Sequence, residues 1–70
     1  MLAKRRIAQV IAAFDGIRPM AHALDLNPST VFGWKKRGVI PRWHHDRILT
    51  LSRHIGRPLK RYQLGPRYAR

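Results

Sequence analysis

The chain has 70 residues, no cysteine, and 15 Lys and Arg against 3 Asp and Glu, for a formal charge of +12. That length fits one domain with a marginal core, and the missing thiols exclude disulfide staples and thiolate metal sites. A compact body at that charge repels itself unless a polyanion neutralises it, and no apolar run approaches the roughly 20 residues that span a bilayer.

The first segment, Met1 to Phe14, is basic and amphipathic, which are also properties of a transit peptide. Gln9 interrupts the unbroken apolar stretch of a secretory signal, and removing the segment would strip a helix from the core. It is read as helix 1. Ala3, Ile7, Val10, Ile11 and Phe14 share one helical stripe, and Lys4, Arg5, Arg6 and Gln9 face away. The helix is expected to end near Asp15, with Gly16 left-handed. Ile17, Met20, Ala21 and Leu24 form the stripe of a short helix 2, with Pro19 in its first turn.

Asn27-Pro28 signals the next start, with Asn27 capping through its side-chain oxygen and Pro28 preset for the first turn. Helix 3 is expected to reach Arg37, where Gly38 stops it. Pro41 opens a predicted helix 4, whose buried face would be Trp43, Ile48, Leu51 and Ile55, ending at Gly56. From residue 57 the composition shifts to Pro, Gly and basic residues. The expected organisation is a domain over 1–56 and a basic tail or arm over 57–70, in which Leu59 to Leu64 is a short strand, a ragged helical turn or an unfolded arm.

Helices 2 and 3 are joined by Asp25-Leu26-Asn27, the length of a helix-turn-helix connection, whose second helix enters the major groove. Ala21 is small where the helices cross, Leu26 plugs the turn, and Val31 and Trp34 share the inner face of helix 3. At about 100° per residue the opposite direction holds Ser29, Phe32, Gly33 and Lys36. Ser29 suits a base edge, Phe32 a thymine methyl, Lys36 a guanine or a phosphate, and Gly33 close approach of the backbone. The alternative is that Phe32 is buried and the helix packs on both sides.

The run GIRPMAHALDLNPSTVFGWKKRGVIP resembles the helix-turn-helix of the lambda Cro and CI repressor superfamily. More narrowly it looks like the small prokaryotic group called carph-isopro domains, over about Phe14 to Leu51. The resemblance implies a small residue at Ala21, an apolar turn residue at Leu26, and buried residues at Val31 and Trp34. It maps the recognition positions to Asn27, Pro28, Ser29, Phe32, Gly33 and Lys36. Two departures stand out: Asp25 replaces a common turn Gly, and Pro28 replaces a common polar base-contacting residue.

Phosphate contacts are expected from Arg18 at the start of helix 2, from Thr30, Lys35 and Arg37 flanking the reading face, and from Arg42. Lys4, Arg5 and Arg6 oppose the dipole of helix 1; they serve an outside anion or stand as a solvated end. In the tail, Arg57, Lys60, Arg61, Arg67 and Arg70 would follow the DNA backbone or enter the minor groove. Alternatively, Leu59, Tyr62 and Leu64 would make a dimer contact.

No paired carboxylates, no His-x-x-x-His spacing and no Gly-rich phosphate loop appears, so neither an enzyme nor a cofactor, metal or small-molecule ligand is expected. The expected fold is all-α, a four-helix Cro/CI-like helix-turn-helix domain with a short basic C-terminal tail. The resemblance implies a phage or bacterial transcription regulator that binds double-stranded DNA, a repressor in preference to an activator. A cytoplasmic, nucleoid-associated homodimer with no membrane partner is favoured. The alternatives are a small basic protein associated with structured RNA, and an antitoxin-type module whose main target is a protein.

Overall fold

A computed structural model describes residues 2–65, with the backbone alone for Leu2 and Ala3. The stripe position Ala3 and the tail residues Arg67 and Arg70 therefore lie outside the described side chains. The described part is all-helical, with four α-helices and no strand: α1 (Leu2–Ala13), α2 (Ile17–Leu24), α3 (Pro28–Arg37) and α4 (His45–His54). Two 3-10 turns complete it, η1 (Arg42–His44) and η2 (Arg61–Leu64). Among the described residues no helix is long and apolar enough to cross a membrane.

One core joins the elements. α1 contributes Ile7, Val10 and Ile11, followed by Phe14 just past its end. Met20, Ala21 and Leu24 come from α2, Val31 and Trp34 from α3, Ile48 and Leu49 from α4, and Ile40 and Leu64 from the connections. α2 packs most closely on α3, and α1 covers both while also receiving η2.

Each α-helix ends in the same way. A backbone N–H just beyond the helix bonds back to the carbonyl five positions earlier: Gly16 to the Ile11 carbonyl at 3.0 Å, Leu26 to Ala21 at 2.8 Å, Val39 to Trp34 at 3.3 Å and Arg57 to Ser52 at 2.9 Å. This closure needs a left-handed residue just before the bonded N–H. Gly38 and Gly56 supply it after α3 and α4, but Asp15 (φ 71°) and Asp25 (φ 58°) supply it after α1 and α2. Asp tolerates this region better than most residues, so the turn at Asp25 forms without the usual glycine. The left-handed residue after α1 is Asp15; Gly16 sits at φ 126°, ψ 179°, a region open essentially to glycine alone.

The predicted helix 4 needs correction. Pro41 opens η1, and α4 begins only at His45. Trp43 is 66% exposed and Ile55 45% exposed, so neither belongs to the buried face; Leu51 is half-buried and Ile48 fully buried. The tighter 3-10 turn turns Trp43 outward, and Ile55 falls beyond the last helical residue, where the chain is leaving the axis. The true inner face is His45, Ile48, Leu49 and Ser52. His45 donates from Nε2 to the Ile40 carbonyl at 2.6 Å. The Ser52 hydroxyl donates to the Leu49 carbonyl at 2.7 Å and accepts from the Leu59 N–H at 3.1 Å.

Residues 57–65 are part of the body rather than a free arm. Leu64 is fully buried, and its carbonyl accepts from the Ile40 N–H at 3.2 Å. At Gly65 (φ 97°) a Cβ would lie 3.0 Å from Cγ2 of Val39, so backbone conformation and tight packing both favour glycine. Arg57 donates to the Ala13 carbonyl at 3.0 Å and to Asp15 at 2.7 Å. Of the readings offered for this segment, the helical turn forms, as η2, a strand does not, and Leu64 is not available to a second copy.

Candidate nucleic-acid interface

α3 is held by its inner face. Val31 (0% exposed) and Trp34 (1% exposed) lie in the core against α1 and α2, while Phe32 on the far side is 49% exposed. The two-sided packing considered for α3 is thereby ruled out. Asn27, Pro28, Ser29 and Lys36 are exposed and Gly33 is half-buried, so the six residues expected to read bases share the outward side and leading end of one helix. Arg18, Lys35, Arg37 and Arg42 are exposed and Thr30 is half-buried.

Asn27 differs from expectation in one detail. Its side chain makes no cap hydrogen bond, and the Thr30 N–H is taken by the Asn27 backbone carbonyl at 3.0 Å. Residue 27 is extended (φ −74°, ψ 143°) and Pro28 begins the helix, so backbone geometry alone starts α3. The Asn27 amide is left facing solvent.

Within the face, Lys36 and Phe32 lie one turn apart, with the ammonium 6.0 Å from the ring centroid. Gly33 is helical, and a Cβ built on it would lie 3.1 Å from Nη1 of Arg37. The Arg37 guanidinium thus folds back over the glycine and lies on the reading side, one turn along. Sequence reasoning put Arg37 among the flanking phosphate contacts; the i to i+4 relation to a residue without a side chain was the signal that would have placed it here.

Comparison with protein-family models, curated proteins and solved structures finds no match. The candidate site therefore rests on its own geometry.

Asp15 pairs with Arg57 at 2.7 Å and Asp46 with Arg61 at 2.9 Å, both through residues of the C-terminal segment. Asp25, in the turn, is the one acid between α2 and α3. Lys35, Lys36 and Arg37 occupy the last turn of α3, where the helix dipole favours positive charge.

Behind the face, the His44 ring lies 4.9 Å from Trp34 and 6.0 Å from Trp43, centroid to centroid. Burial lowers the His44 pKa below its ordinary 6.5, and the neighbouring His45 and Arg47 act in the same direction. His44 therefore joins η1 to the base of α3 as a neutral ring at neutral pH.

Proposed function

We propose that this protein is a sequence-specific double-stranded DNA-binding regulator, a repressor of the Cro/CI helix-turn-helix kind, that lays α3 in the major groove. The observation that carries the reading is the two-sidedness of α3. Val31 and Trp34 are buried, and Ser29, Phe32 and Lys36 are exposed on the opposite side of the same helix. A half-exposed Phe on a domain of +12 charge suits an apolar contact inside an anionic groove. In this reading Asn27, Ser29, Lys36 and Arg37 address base edges, Phe32 a thymine methyl, and Arg18, Thr30, Lys35 and Arg42 the phosphates.

The described body measures 26 × 23 × 20 Å. It is shorter than the roughly 34 Å between successive major-groove half-sites, so one copy reads one half-site, and a homodimer at a palindrome supplies the rest. The expected place of action is the cytoplasmic nucleoid.

Selection of bound sites from a random duplex pool tests the reading. A palindromic motif with half-sites one helical turn apart is the expected result. No enrichment, together with tighter binding to folded RNA than to any duplex, replaces it with the RNA-associated reading. Recovery only in complex with a stoichiometric acidic protein replaces it with the antitoxin reading.

A further inference from the structure

The two indoles of the chain occupy opposite environments: Trp34 is 1% exposed and Trp43 66% exposed. Trp43 is displayed on a fixed support. The turn that carries it is anchored by buried Ile40 and Pro41, by the His44 N–H bonded to the Pro41 carbonyl at 3.1 Å, and by His45 on the Ile40 carbonyl at 2.6 Å. The His44 ring adds a wedge between Trp43 and Trp34. The fold thus holds a large apolar ring in water with little freedom in its backbone, as is typical of a preorganised contact residue.

The neighbours of Trp43 narrow the choice of occupant. Arg42 and Arg47, one and four positions away, are both exposed. A second copy docked on this turn, with no DNA between the two, would bring another +12 against them. A nucleic-acid backbone offers an apolar sugar face with a phosphate on either side, which suits an exposed indole with exposed arginines one and four positions away. Trp43 lies five positions after Gly38 at the end of α3, a reach of at most about 18 Å. The major groove is about 12 Å wide, so the strand bordering a groove filled by α3 lies within that reach.

We infer that Trp43 lays its indole on a deoxyribose of the strand bordering the groove read by α3, with Arg42 and Arg47 on the adjoining phosphates. This deepens the duplex-DNA reading above and rests on it. Trp43 is then a positioning residue: it fixes the height of α3 in the groove without reading a base, and its contribution carries no charge.

The test titrates wild type, Trp43→Ala and Trp43→Phe with labelled 30-base-pair duplexes of several sequences at three salt concentrations. Acrylamide quenching of tryptophan emission is followed in parallel. Duplex is expected to shield the exposed indole from acrylamide. Trp43→Ala should weaken every duplex about five- to tenfold with a slope of log K against log salt parallel to wild type, and Trp43→Phe should recover most of the loss. Far-UV circular dichroism checks that the variants are folded, and the quenching arm needs wild type alone. Unchanged quenching in the bound state, or undiminished affinity of folded Trp43→Ala, overturns the inference and leaves the α3 reading intact. Shielding by single strands but not by duplex overturns the choice of occupant. Failure of wild type to bind any duplex overturns both readings.

Discussion

His45 Nε2 lies 2.6 Å from the Ile40 carbonyl oxygen, and the imidazole that makes this bond is 1% exposed. A carbonyl only accepts, so Nε2 donates, and Nδ1 has no partner among the described residues. The bond fixes the connection between α3 and α4, and with it the platform under Trp34. His45→Ala removes the buried ring and orphans the Ile40 carbonyl, at a cost of about 3 kcal/mol. Urea unfolding measures it; a loss under about 1 kcal/mol would mean that the bond does not organise the connection.

Gly33→Ala separates stability from binding. The position is helical and the group nearest to a new Cβ is the flexible end of Arg37. The helix gains up to about 1 kcal/mol from the substitution, seen as a higher thermal midpoint. The methyl group displaces Arg37 and stands between backbone and groove, so affinity for the selected site falls. A variant that is more stable and binds equally well would remove Gly33 from the interface.

Lys36 and Arg18 should differ in kind. Lys36→Ala alters sequence preference and costs about 1–3 kcal/mol on the preferred site. Arg18→Ala weakens all duplexes alike and flattens the salt dependence by about one unit of slope. Binding isotherms on the selected site and on random DNA at several salt concentrations distinguish them. Unaltered affinities of the Lys36 variant on both would mean that the groove face is wrongly assigned.

The lowered pKa of His44 gives a direction to the pH dependence. Between the folded pKa and the ordinary 6.5, the unfolded chain binds the proton and the folded chain does not. Stability therefore rises with pH through this window. The His44 contribution is complete above about 6.5 and is lost on acidification until the folded ring also protonates. His44→Gln should flatten the dependence between pH 7.5 and 5.5 in urea titrations. An unchanged slope would assign the dependence to other groups.

The motif was legible because its punctuation is local. Gly16, Asp25, Asn27-Pro28 and Gly38 bracket two helices whose apolar spacing fixes their inner faces, and Val31 and Trp34 lie where the 3.6-residue period puts them. The phase of α4 was not legible, because a three-residue 3-10 turn changes the rotation per residue just where Trp43 enters. His45 and Ser52 were absent from the expected buried face because their partners are backbone groups of other elements, the Ile40 carbonyl and the Leu59 N–H. The segment beyond Gly56 read as an arm because its charges outnumber its anchors; Leu64 and the close approach of Gly65 to Val39 attach it, and neither has a periodic signature.

The packing of η2 on α1 has a consequence for biosynthesis. Ile7 and Val10 leave the ribosome more than fifty positions ahead of Leu64. At about 5–20 residues per second the gap is about 3–10 s. Throughout that interval the nascent α1 shows one greasy flank and one cationic flank, open to chaperones or ribosomal RNA before η2 reaches it.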